Sequence, residues 1–223
     1  MRLLALETST EFCSVALWQE GAIVERCERV GQKHSELLME MLDGVLREAN
    51  IKLGQLDGIA FGAGPGSFTG VRIACGVAQG LALGADLPVV GICTLEALAQ
   101  ASGHEKVIAT LDARMAEVYH AAYEKCGGNW VTVHQPSLCL PKDAKSVDGT
   151  GWFGIGSGFA SHGTALTERY ADNLAGIDGE KVPLATAIAQ LASKLFSTGQ
   201  GMDAALATPL YLRDKVALKT SER

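Results

Sequence analysis

The residues best placed to do chemistry sit in the loop Gly62-Ala63-Gly64-Pro65-Gly66-Ser67, between the apolar run Ile59-Ala60-Phe61 and a helix from about residue 71. Glycines and a serine ahead of a helix start expose backbone N–H groups that favour an anion such as phosphate. The same glycines equally suit a tight structural turn. The loop has no Gly-Lys-Ser/Thr, so it is not a Walker A sequence. Two carboxylates close apolar runs: Glu7 after Leu3 to Leu6, and Asp112 after Val107 to Leu111. Facing each other across a cleft, they would hold a metal–phosphate through water; alternatively each caps the turn that follows it. The candidate phosphate or nucleotide set is therefore Glu7, Gly64, Gly66, Ser67, Asp112 and Gly156. No metal site is expected, because no two of His34, His104, His120, His134 and His162 lie three to five apart. Neither Ser67 nor Ser157 sits in a Gly-x-Ser-x-Gly elbow, and no catalytic dyad is apparent.

The elements that must position these residues follow from periodicity. Residues 3–6, 13–18 and 22–30 predict three close-set strands in an antiparallel meander. Leu37, Leu38, Met41, Leu42, Val45 and Leu46 make one face of an amphipathic helix over 34–50. The helix over 71–83 is rich in small residues. Gly76, Gly80 and Gly84 stand four apart, as do Ala74, Ala78 and Ala82. A helix glycine costs about 1 kcal/mol relative to alanine, so three of them ask for close approach of another backbone. That neighbour is either the protein's own sheet or a partner helix. A strand at 88–92, a helix at 94–101, strands at 107–112 and 118–123 and a helix at 183–197 follow. The stretch 127–151 reads as irregular, and residues 219–223 as a fraying end.

The chain repeats itself. Placing Leu6-Glu7 on Leu111-Asp112 brings Cys13 to Trp18 onto Val118 to Tyr123 without a gap. Phe61-Gly62-x-Gly64-x-Gly66 returns as Phe153-Gly154-x-Gly156-x-Gly158. Two matches in the same order predict a duplicated α/β fold. The second copy lacks a counterpart of the 34–50 helix. The expected halves are 1–103 and 104–223, with 205–223 packing back on the first.

Composition sets the outer limits. Glycine supplies 26 of 223 residues, well above the usual share of about 7%, and proline only 6. A net charge of −6 argues against a chain that alone grips a phosphate backbone. The six cysteines show no C-x-x-C spacing and are expected as free, buried thiols. Neither a signal peptide nor a membrane-spanning apolar run is evident, so a cytoplasmic protein is expected.

Four segments resemble the TsaB (YeaZ) family: Leu6-Glu7-Thr8-Ser9, Phe61-Gly62-x-Gly64-Pro65-Gly66-Ser67-Phe68-Thr69-Gly70-Val71-Arg72, Ala78-Gln79-Gly80-Leu81-Ala82 and Pro209-Leu210-Tyr211-Leu212-Arg213. The likeness spans nearly the whole chain. It implies an actin-like ATPase fold (the ASKHA, ribonuclease H-like class) with a reduced second half. It also implies a part in making threonylcarbamoyladenosine beside the anticodon of tRNAs that read ANN codons. The related catalytic protein, TsaD, carries Gly-Val-His-His-Met-Glu-Gly-His, whose second and third histidines bind a metal. The matching stretch here is Gly91-Ile92-Cys93-Thr94-Leu95-Glu96-Ala97-Leu98, which puts Thr94 and Leu98 at the metal positions. Neither side chain replaces an imidazole at a transition metal.

The resemblance thus implies a non-enzyme that scaffolds and activates TsaD, helps recruit the ATPase TsaE, and can pair with itself. It implies contact with tRNA only within that complex, no membrane, and no required cofactor beyond weak nucleotide binding. The family pairs through its first helices, which makes Leu38, Met41, Val45, Ala74, Ala78 and Leu81 the interface candidates. The competing reading is a nucleotide-binding ATPase or phosphotransferase of the same superfamily.

Overall fold

A computed structural model describes residues 1–213; the Lys219–Arg223 end and the rest of the C-terminal segment from residue 214 lie outside the described residues. Two five-stranded sheets are built on one plan. In the first, β1 (Arg2–Glu7), β2 (Phe12–Gln19) and β3 (Ala22–Arg29) form the antiparallel meander. β4 (Gly58–Gly64) and β5 (Val89–Cys93) then add in parallel on the other side of β1, giving the order β3-β2-β1-β4-β5. In the second, β6 (Lys106–Asp112), β7 (Val118–Cys126) and β8 (Asn129–Cys139) repeat the meander, and β9 (Trp152–Ile155) and β10 (Leu174–Asp178) repeat the parallel strands. The order β8-β7-β6-β9-β10 is the same topology. The duplicated α/β fold is therefore present.

The strands pack helices on both faces because side chains alternate. Leu4, Leu6, Val15 and Leu17 meet α1 (His34–Glu48) and α2 (Phe68–Ala85), while Leu3, Ala5 and Ala16 point the other way. That opposite face is covered by α5 (Ala185–Ser197), which follows the second sheet in the chain. α3 (Thr94–Ser102) makes the reverse crossing: Leu95, Leu98 and Ala99 pack on Val107, Ala109 and Leu111 of β6. α4 (Ser157–Arg169) covers the remaining face of the second sheet through Phe159 and Leu166. Each half thus borrows a helix from the other's stretch of chain.

The reduction of the second half is a replacement: where α1 links β3 to β4, only a 3-10 turn at Pro141–Asp143 precedes β9. The expectation of an irregular 127–151 is corrected, since β8 occupies Asn129–Cys139. β8 is an edge strand with Pro136 inside it, a place where a proline removes no ladder bond that a neighbour needs. The cysteines are free, but Cys27 and Cys126 are exposed, the first on edge strand β3 and the second where β7 ends at its hairpin into β8.

Candidate functional site

A cleft of about 900 Å³ lies between the two sheets. Ser9, Thr10, Pro65, Gly66 and Ser67 line its first lip, and Asp112, Arg114, Met115, Ser157 and Lys181 its second. The glycine loop does end β4 and open α2, yet its geometry is that of a packed turn. Ser67 is the N-cap of α2, its hydroxyl accepting from Gly70 N–H at 3.3 Å. Ser67 N–H itself donates to Ser9 O at 2.7 Å, and Gly64 N–H donates to Thr94 Oγ1 at 3.1 Å. Three N–H groups of the proposed cradle therefore already have acceptors within the fold. A Cβ on Gly66 would lie 2.6 Å from Ser9, and one on Gly70 would overlap the Thr8 carbonyl. Glycine is needed here so that the loop can press against the β1–β2 turn.

The second copy behaves alike. A Cβ on Gly156 would strike Thr110 and Leu98, and one on Gly158 would lie 2.6 Å from Thr110. Ser157 Oγ accepts from Asp112 N–H at 3.1 Å, tying this loop to the end of β6.

The two acids share one local role. Glu7 Oε1 accepts from Ser9 N–H at 2.5 Å, and Asp112 Oδ1 accepts from Arg114 N–H at 2.9 Å, each capping its own turn. Their surroundings differ. Asp112 borders the cleft with Arg114 and, 3.6 Å away, His162. Glu7 is 1% exposed and faces Gly62 of β4, so the pairing of the two acids across the cleft is corrected. Burial lifts its carboxyl from 4.5 to about 7, against hydrogen bonds from Ser9 that pull the other way. Among the described residues its Oε2 has no hydrogen-bond partner.

Thr94 and Leu98 are both fully buried. Thr94 starts α3 and supports the first glycine loop through its hydroxyl. Leu98 fills the space against the second loop, its Cδ2 lying 2.5 Å from where a Gly156 Cβ would be. Among the described residues no three His, Cys, Asp or Glu side chains gather as metal ligands.

The interface candidates need correction. Leu38, Met41, Val45, Ala74 and Ala78 lie in the core between α1, α2 and the first sheet, because the alanine stripe of α2 is the face that meets β4. Leu81 alone is partly exposed. Among the described residues the other stripe is the uncovered one: Gly76, Gly80 and Gly84 are exposed, and nothing described lies within 4 Å of an added Cβ. Partly exposed Ile73 and Val77 and the 59% exposed Leu83 complete an apolar face at helical spacing.

Two features were not found from the residues alone. One is the reach of residues 207–213 across the cleft to its second lip; the sequence placed this segment only against the first half. The other is the turn between β6 and β7, where Arg114, Met115 and Ala116 have φ of 62°, 55° and 59°. Such left-handed positions cost about 1–2 kcal/mol each in non-glycine residues, and nothing in the sequence announces them.

Among known proteins, the family model for TsaD, tRNA N6-adenosine threonylcarbamoyltransferase, matches residues 26–219. The tRNA threonylcarbamoyladenosine biosynthesis protein TsaB of Escherichia coli K12 is 37% identical, over 98% of this chain and 97% of its own length. The protein of that name from Haemophilus influenzae is 38% identical, over 98% and 96%. The solved structure of YeaZ from Pseudomonas aeruginosa superposes with a TM-score of 0.88 at 39% identity, covering 95% of this chain and 99% of that one. With the same duplicated actin-like plan in its two sheets and full-length identity at this level, the chain belongs to the TsaB (YeaZ) family.

Proposed function

We propose that this chain is a non-catalytic subunit of threonylcarbamoyladenosine biosynthesis, which holds TsaD in working form and helps recruit TsaE. The observation that supports this best is the use made of Thr94 and Leu98. At these two positions, which the resemblance places opposite the metal histidines of TsaD, one side chain buttresses a loop and the other plugs a gap. Among the described residues no three metal-ligating side chains gather there, and the Gly64, Ser67, Gly70 and Gly156 N–H groups of the two loops donate within the protein itself. The chain works in the cytoplasm without a required cofactor, and reaches tRNA only through the complex, in keeping with its net charge of −6.

The surface proposed for TsaD, and for a second copy in its absence, is the uncovered face of α2. Ile73, Gly76, Val77, Gly80, Leu83 and Gly84 let another helix approach at backbone distance. Gly80→Arg tests it. The guanidinium stem has room in the lone chain, and the helix gains about 1 kcal/mol from the loss of a glycine. Co-elution with TsaD, and modification of tRNA by the reconstituted proteins, are expected to fall sharply while the melting temperature holds or rises. Full co-elution of Gly80→Arg would refute this surface. ATP hydrolysis by the lone chain that Asp112→Asn abolishes would refute the non-catalytic reading in favour of a phosphotransferase.

A further inference from the structure

Residues 207–213 touch both lips of the cleft. On the first, Ala207 is buried beside α2, and Leu210 N–H donates to Ala63 O of β4 at 2.7 Å. The Leu210 carbonyl lies 2.9 Å from where a Cβ on Gly64 would sit, so the loop and the segment are in close contact. Arg72 stacks its guanidinium over Phe68 at 3.2 Å and over Tyr211 at 4.7 Å, fastening the segment to the start of α2. Leu212 then packs against the core that α3 shares with the second sheet.

Arg213 completes the crossing. Its guanidinium donates to Glu117 Oε2 at 2.7 Å and to Ala113 O at 3.0 Å, and lies 3.0 Å from Met115 Sδ. These partners are the two ends and the middle of the left-handed turn over Arg114–Ala116. From inside, the same turn is held by short-range bonds: Asp112 accepts from Arg114 N–H and its guanidinium, Ala113 N–H donates to Glu117 O at 3.0 Å, and Glu117 N–H donates to Arg114 O at 3.0 Å. Backbone in such a conformation persists when its surroundings over-determine it. Among the described residues the corresponding β1–β2 turn has no left-handed residue, and the arginine that meets it, Arg29, does so through an ion pair with exposed Glu11 at 3.6 Å.

We infer that residues 207–213 are a clasp that ties the two lips of the cleft, with Arg213 as the positioning residue that keeps the Arg114–Ala116 turn in its left-handed shape. The clasp is independent of the catalytic status of the chain and of its α2 face. It predicts that Arg114 and Met115 stay where they are on the second lip only while Arg213 is seated.

Hydrogen exchange read by mass spectrometry on the full chain tests the clasp. In Arg213→Ala, exchange of amides 113–118 is expected to rise about tenfold or more, as losing a charge-assisted hydrogen bond allows. Amides of β6 and β9 are expected to stay at the wild-type rate. Arg213→Lys keeps the charge opposite Glu117 but not the fork to Ala113 O, so an intermediate rate is expected. Glu117→Gln, a change at the rim, provides the same reading if Arg213→Ala does not fold. Unchanged exchange at 113–118 overturns the inference. So does a uniform rise across the second sheet, which would make Arg213 a contributor to general stability alone.

Discussion

Glu7→Gln should make this protein more stable in alkaline solution and leave it nearly unchanged in acid. The carboxyl of Glu7 is buried, and its folded value is about 7 against an ordinary 4.5. A raised carboxyl binds its proton more tightly in the folded state than in the unfolded one. Its contribution is therefore fully present below 4.5 and is lost as pH climbs through 7. At about 1.4 kcal/mol per pH unit the loss reaches about 3 kcal/mol above pH 8. Glutamine carries no charge at any pH, and its oxygen can still accept from Ser9 N–H. Its amide would replace Oε2, which already lacks a partner, so up to about 3 kcal/mol should be regained. For a chain of this size that is a rise of about 6–12 °C in melting temperature. The measurement is denaturant or thermal unfolding of both proteins at pH 5 and at pH 8.5. Buried His120 sharpens it, because burial lowers that imidazole from 6.5 to about 4. Its contribution is present above 6.5 and lost as pH falls through 4. Between about 4.5 and 6.5 the two slopes oppose each other in the wild type, and removing Glu7 should expose the histidine's slope alone. An equal gain at pH 5 and pH 8.5 would refute the reasoning, since it would mean that shape and not charge governs the site.

Two further substitutions test the packing that holds the loops. Gly70→Ala forces a methyl into the Thr8 carbonyl, an obstacle of backbone, and should cost about 1–3 kcal/mol or more in denaturant unfolding. An alanine tolerated within 0.5 kcal/mol would mean that the loop has room to retreat. Tyr170→Phe removes a phenol that donates to Lys145 O at 2.7 Å and, having one hydrogen, must accept from His120 Nε2 at 2.8 Å. Leaving the buried imidazole and the part-buried Lys145 carbonyl unpaired should cost about 1–3 kcal/mol in the same assay, and a smaller loss would show that water replaces the hydroxyl.

What could be read from the residues was whatever a local period or a repeated string could carry. The strands of the first half, the amphipathic α1 and the duplication all rest on such signals, and the structure has each of them. α4 was missed because it buries only Gly158, Phe159 and Leu166 and is kinked at His162, so no stripe advertises it. β8 was missed because an edge strand carrying a proline and half-exposed on both faces has no alternation. At the site, the choice between a phosphate cradle and a tight turn could not be made from Gly62 to Gly70. It depends on Thr94, Ser9 and Thr8, partners that come together only when β1, β4 and α3 are assembled. Five of the six interface candidates, all but Leu81, turned out buried for a related reason. A helix with small residues on two faces does not say which face meets its own sheet, and the alanines, not the glycines, took that place.

The exchange of helices between the halves governs how this chain can be made. The face of the first sheet formed by Leu3, Ala5, Ala16, Ala60, Val90 and Ile92 is covered by α5, which begins only at Ala185. On the ribosome, that apolar surface therefore waits uncovered until the chain through Ser197 has emerged. Sequence-distant closure of this kind is slow, and while it lasts the nascent sheet is a natural client for chaperones. A shortened product that stops before Ala185 would carry the glycine loop and the α2 face intact, yet would expose a bare hydrophobic wall on the opposite side. Quality control can read that wall as the sign of an unfinished chain.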